Sequence, residues 1–195
     1  EDKNPWESWA NSAFDEYGKK VSGWHMRNAN LPAAVSEEHS ETAYTTGRAL
    51  DFLSAVDKED QWCLHLSYIK PHWPYLVPSP YHSLYTNEHI IPAVRGSVEK
   101  KSPHPVLKAF QDELYSQNFS RDGVRERVIP TYMGLIKQVD DHLGRVFDKL
   151  RSMELLDSTL IIFTSDHGDY LVDHWLGEKD LFHEPSARIP LIVYD

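Results

Sequence analysis

The chain has 195 residues, of which 41% are hydrophobic, enough apolar material for one domain with a core of its own. Its net charge of -10 argues against nucleic acid or an anionic membrane as partner. A small anionic substrate is not excluded, because a metal ion and a few lysines reverse the field locally. Cys63 is the only cysteine, so no intrachain disulfide forms, and cytoplasmic residence is the expectation. No apolar run reaches membrane-spanning length, and the opening EDKNPWESW reads as mid-protein sequence rather than a signal peptide.

Residues 1–35 are polar and aromatic (Trp6, Trp9, Tyr17, Trp24) without a clean period and read as surface loop or insertion. Residues 40–56 carry a helical period, with Ala43, Thr46, Leu50, Leu53 and Val56 on one face. From Gln61 to Tyr68, Trp62, Leu64, Leu66 and Tyr68 alternate with Cys63, His65 and Ser67, the pattern of a strand with Cys63 as a buried structural residue. Pro71 and Pro74 end it in the irregular loop Lys70-Pro71-His72-Trp73-Pro74-Tyr75, and a long connection follows to residue 104. Pro105 to Gln117 predicts a short helix with proline in its first turn.

Residues 123–152 predict the strongest helix. Tyr132, Ile136, Val139, Leu143, Val146 and Leu150 share a face, Gln138, Asp141 and Lys149 fall elsewhere, and Pro130 sits near the first turns or kinks it. Thr159–Thr164 (TLIIFT) and Ile189–Tyr194 are nearly continuous apolar runs, as in strands buried on both faces. The expected fold is therefore α/β, a central mostly parallel sheet flanked by helices, incomplete because the chain ends in or just after a strand.

Chemistry concentrates after TLIIFT. In open α/β sheets ligands bind beyond the carboxyl ends of strands, where Ser165-Asp166-His167-Gly168-Asp169 emerges. A carboxylate and an imidazole suit Zn²⁺, Mn²⁺ or Fe²⁺, and Gly168 permits a sharp turn after them. Taken alone, these five residues read more simply as a strand-ending turn. The titratable groups that follow, Asp173-His174, Glu178-Lys179 and His183-Glu184, shift the balance toward a site. Lys179 is able to hold negative charge on a transferring phosphoryl or sulfuryl group, and His72 to donate a proton to a leaving oxygen or hydrogen-bond a substrate oxygen. Each has a plainer reading, a surface lysine beside Glu178 and Asp180 and a satisfied histidine in a proline-rich loop.

Three ordered segments resemble the sulfatase and alkaline phosphatase superfamily, and within it the phosphonate monoester hydrolase and arylsulfatase branch: SYIKPHWPY, TYMGLIKQVDDHLGRVFDKL, and TSDHGDYLVDHWLGEKDLFHE with the following RIPLIVYD. The resemblance implies that residues 1–195 form the C-terminal part of one catalytic domain, with 1–60 an irregular and helical insertion and 61–195 the core. It implies a hydrolase of sulfate, phosphodiester or phosphonate monoesters that acts on a small anionic ester, with a homo-oligomer as the expected assembly. Asp166 and His167 would be ligands of one divalent metal, Mn, Zn or Fe rather than Ca. Lys179 and His72 would act on the transferred and leaving groups, and Lys70 would line the same pocket. Glu184 and Arg188 would be structural.

Such enzymes use a formylglycine made within a Cys/Ser-x-Pro/Ala-x-Arg motif. Cys63 is followed by Leu-His-Leu-Ser and does not match, so the nucleophile and a further metal-binding aspartate are expected upstream, and the chain alone is expected to be inactive. Val172 stands where the resembled motif has glycine, and valine disfavours positive φ, so a displaced Lys179 loop is a further expectation. Two alternatives stand beside this reading: a phosphomutase or nucleotide pyrophosphatase of the same superfamily, and a non-catalytic binding or structural relative.

Overall fold

The computed structural model describes residues 9–101, 103–121 and 123–195, so Trp6 lies outside the described residues. The N-terminal stretch is more ordered than its composition predicts. Strands β1 (Ser12–Phe14) and β2 (Lys20–Ser22) form an antiparallel hairpin with Ser12 opposite Ser22. Its turn is built by the Asp15 carboxylate, which accepts the N–H groups of Tyr17 and Lys19, with Gly18 at φ 73°.

Helix α1 (Glu41–Ala55) starts at Ser40, whose hydroxyl accepts the Ala43 N–H. It buries Thr42, Thr46, Ala49 and Leu53, close to the expected face. Residues 61–69 then run extended with the predicted alternation: Trp62, Leu64 and Leu66 pack inward on Leu53, Val146, Leu150 and Leu155. Two expectations fail here. The segment has no ladder partner among the described residues, so it is not a paired strand, and Cys63 lies on its exposed side. Alternation determines which residues share a side, but not whether both sides are covered.

Short turns and helix α2 (Ser97–Lys101) occupy the long connection. The next predicted helix is two, α3 (Pro105–Gln111) and α4 (Leu114–Phe119). Helix α5 (Arg125–Ser152) has the predicted length and keeps Pro130 inside, but its inward face is rotated from the expected one. Gln138 and His142 are buried and Ile136 is exposed. The polar pair turns inward because Glu37 and Ser40 meet it. His142 Nε2 lies 2.5 Å from a Glu37 carboxylate oxygen, and the Gln138 amide donates to Ser40 Oγ at 2.9 Å. A second core gathers Met26, Tyr75, Val77, Phe119, Val128, Leu135 and Val172. The Pro71–Tyr75 loop connects the two cores.

Strand β3 (Ile161–Thr164) pairs antiparallel with β4 (Leu191–Tyr194), Ile161 opposite Tyr194 and Thr164 opposite Leu191. Helix α6 (Glu184–Ala187) lies just before β4 and carries an exposed Glu184–Arg188 pair. The architecture is mixed α/β. The sheets of the described residues are two-stranded and antiparallel, and the expected central parallel sheet is not among them. Nor is β3–β4 buried on both faces, for Ile162, Leu191, Ile192 and Val193 are all more than half exposed. No helix of the described residues is long and apolar enough to cross a membrane.

Candidate active site

Two loops build the site, one leaving the extended segment 61–69 and one leaving β3. In the first, Lys70 turns back on its own backbone. Its ammonium donates to the carbonyls of His72 at 3.2 Å and Pro74 at 2.9 Å, which fixes the turn that presents His72. Burial of that ammonium lowers its pKa to about 8, partly offset by Glu41. His72 Nδ1 lies 2.8 Å from the Trp73 carbonyl. A carbonyl only accepts, so Nδ1 carries the proton and Nε2 presents a lone pair.

The second loop opens with Asp166 and His167. Gly168 follows because the backbone passes close to α6: a Cβ there would stand 2.0 Å from the Pro185 carbonyl oxygen, and the Gly168 N–H donates to the Ser186 carbonyl at 2.8 Å. Close approach, not a positive φ, requires the glycine. His167 Nδ1 is 2.7 Å from the Gly168 carbonyl and therefore donates to it. This leaves Nε2 as a lone pair, 3.6 Å from Asp166 Oδ2. The Asp166 side chain is 87% exposed and that of His167 29%. Two outward donors this close, with the imidazole tautomer fixed by a backbone acceptor, match the way proteins prepare histidine for a metal.

The chain then turns through left-handed residues, including Leu171, Val172, His174, Trp175, Glu178 and Asp180. Val172 takes the left-handed conformation at φ 87° while 1% exposed, held by its N–H to the Leu176 carbonyl at 2.9 Å. Valine therefore adopts the positive φ it disfavours, and core packing holds the strained residue in place. Lys179 Nζ reaches His72 Nε2 at 3.0 Å, and the His72 and His167 rings meet edge to face at 6.0 Å. His72, 107 residues before Lys179 in sequence, shares one locality with Lys179 and the Asp166–His167 turn, and Lys70 braces the His72 loop.

Sequence reasoning missed two groups here. Asp169, half-buried, accepts the Tyr75 hydroxyl at 2.7 Å and the Leu171 N–H at 3.0 Å. Burial raises its pKa to about 6 despite those hydrogen bonds. Burial and then Asp169 push the Tyr75 hydroxyl well up, so it remains a donor. Glu99, His174 and His183 form a separate cluster whose ligand atoms lie within 4.8 Å of one another. The density of titratable residues near His174 and His183 was its one sequence signal.

The family model described as Sulfatase matches residues 4–195. The multifunctional alkaline phosphatase superfamily protein PehA of Trinickia caryophylli is 36% identical over 84% of this chain and 34% of its own length. The choline-sulfatase of Rhizobium meliloti is 29% identical over 90% of this chain and 36% of its own length. Among solved structures, the phosphonate monoester hydrolase SpPMH of Silicibacter pomeroyi superposes with a TM-score of 0.83 at 26% identity, covering 98% of this chain and 38% of that one. The chain thus spans about a third of the length of these relatives. With the match running over nearly all of its residues, the chain belongs to the Sulfatase family.

Proposed function

We propose that this chain supplies the metal-binding and leaving-group half of a hydrolase active site that cleaves sulfate, phosphodiester or phosphonate monoesters. The observation that carries the reading is the convergence of Lys179 on His72 beside the Asp166–His167 pair. The names of the relatives, a choline-sulfatase and phosphonate monoester hydrolases among them, support the reaction class. We place the nucleophile, a formylglycine on the family resemblance, and the strands completing a central parallel sheet outside residues 1–195. The uncovered apolar faces of β3 and β4 fit that arrangement.

Asp166 and His167 would hold a divalent metal, Mn²⁺, Zn²⁺ or Fe²⁺ suiting an oxygen and nitrogen donor set better than Ca²⁺. When bound, the metal supplies Lewis-acid stabilisation of the transferred group's oxygens and lowers the pKa of the attacking hydroxyl. The chain's own residues do the rest. One Lys179 N–H is committed to His72 Nε2, and its other protons are free to hold anionic oxygens of the ester. As the leaving oxygen gains charge, a proton passes to it from the Lys179–His72 pair, whose shared hydrogen either group can carry. Lys70 is a positioning residue through its two carbonyl contacts, and its third N–H is available to line the pocket. Two ligands make a weak, open metal site, so residues 1–195 alone would not turn over.

The test is hydrolysis of p-nitrophenyl phenylphosphonate and p-nitrophenyl sulfate by the full-length, metal-loaded protein. Chelator-sensitive turnover of at least one ester is expected. Turnover of neither would contradict the proposal.

A further inference from the structure

We propose that Glu99, His174 and His183 form a second metal site, specific for a divalent transition cation such as Zn²⁺ and sharing no residue with the Asp166–His167 pair. A nitrogen from each imidazole and a Glu99 carboxylate oxygen already lie within 4.8 Å of one another, and all three residues are partly buried. A zinc ion with bonds near 2 Å draws tetrahedral donors to about 3.3 Å apart, so closure is a matter of side-chain adjustment. Two imidazoles and one carboxylate make a common three-ligand set with a position open to water, and nitrogen donors discriminate against Ca²⁺ and Mg²⁺.

The backbone around His174 is built to aim its ring. His174 sits in the left-handed region at φ 56°, a conformation unfavourable for a non-glycine residue. It is held there from both sides. Its N–H donates to the Val94 carbonyl at 2.8 Å, the Asp173 carboxylate accepts the Val94 N–H at 2.8 Å, and the Gln111 amide donates to the His174 carbonyl at 3.2 Å. The same contacts carry the segment bearing α2, and with it Glu99, against the 172–176 loop; His174 Nδ1 meets Glu99 Oε1 at 2.7 Å. Trp175, bonded through its indole N–H to the Gly96 carbonyl and covered by Arg95 and Lys100, secures that docking.

A His174–Glu99 bond alone would be satisfied as a structural tie. It does not account for His183, whose ring stacks on that of His174 at 4.2 Å and 17°. Two cationic rings would repel at that distance, and burial followed by His174 lowers the pKa of His183, which favours the neutral imidazole a metal requires. The Tyr170 hydroxyl, 2.8 Å from His183 Nδ1, fixes the ring's rotation in the manner of an outer-shell partner. Metal binding replaces the His174–Glu99 hydrogen bond. The neutral His174 ring then carries its proton on the nitrogen not bound to metal, and no redox step is involved.

The experiment is zinc titration calorimetry on metal-stripped full-length protein carrying Asp166→Asn, His167→Ala and Cys63→Ser, which removes the other pair and the exposed thiol. About one equivalent of Zn²⁺ is expected to bind. His183→Ala should weaken it by about 100-fold, leaving a two-ligand site, and Glu99→Gln should act in the same direction. Tyr170→Phe, which keeps all three ligands, should weaken it by about 10-fold. Circular dichroism without metal checks each variant's fold, and Tyr170→Phe and Glu99→Gln decide the matter if His183→Ala does not fold. Failure of the background protein to take up zinc would overturn the proposal, as would zinc binding left unchanged by the folded variants. Neither result bears on Asp166 and His167, which are absent from this background.

Discussion

Lys179 Nζ stands 3.0 Å from Nε2 of His72, a contact across 107 residues of sequence. Because His72 Nδ1–H donates to the Trp73 carbonyl, the Nε2 lone pair faces the ammonium and accepts a hydrogen bond from it; on the proposed function the two side chains would act together. Lys179→Met in the full-length protein should lower kcat by about 100- to 1000-fold, the usual loss for one donor to developing charge. His72→Gln should cost a comparable factor, and the double variant little more than the worse single one. Steady-state kinetics on the four proteins checks this; fully additive losses would show that the two act separately.

Gly168 allows the Asp166–His167 turn to lie against the Pro185 carbonyl. Gly168→Ala should cost about 2–3 kcal/mol through overpacking against backbone that has nowhere to go. Urea denaturation measures it, and a midpoint matching the parent's would refute the packing argument.

Asp169 has a folded pKa near 6, raised above the ordinary carboxylate value by burial. A raised pKa means that the folded state holds the proton more tightly. Its contribution to stability is therefore full below about pH 4 and is lost as pH rises through about 6. That loss amounts to roughly 2–4 kcal/mol. Asp169→Asn keeps a partner for the Tyr75 hydroxyl and should flatten the stability profile between pH 4 and 6. An unchanged slope would remove Asp169 as its source.

Glu37 behaves in the opposite sense. Burial alone would raise its pKa, but hydrogen bonds from His142 and Gln138 outweigh burial and lower it. Its stabilisation is present above the unfolded value of 4.5 and is lost as pH falls through the lower folded one. His142→Ala should reduce that acid-side loss and destabilise the protein at neutral pH by about 1–3 kcal/mol, since Glu37 loses the His142 hydrogen bond but keeps that of Gln138 and part of its exposure to water. Chemical denaturation at pH 7 and pH 4 tests both halves.

Helix α5 was legible because its apolar spacing extends over many turns, yet its orientation was not. The burial of Gln138 and His142 depends on Glu37 and Ser40, about a hundred residues earlier, which no local period encodes. The apolar runs at β3 and β4 were recognisable as strands, but hydrophobicity states only that a surface favours burial. It does not say which segment buries it or in which direction that segment runs. Val172 shows a related limit: local sterics disfavour its φ, and buried packing prevails. The locality of Asp166, His167, His72 and Lys179 came from motif resemblance rather than from composition. Glu99 carried no signal at all, since it reaches His174 only through the folding of an irregular connection.

On the proposed function, Asp166 and His167 hold the catalytic metal beside the Lys179–His72 pair. The most direct measurement is ester hydrolysis by metal-stripped full-length protein as Mn²⁺ is titrated back, for the parent and for Asp166→Asn. The variant should need about 100-fold more metal to reach half of its maximal rate, as expected when a site loses a ligand. Identical metal dependence in the two proteins would contradict it.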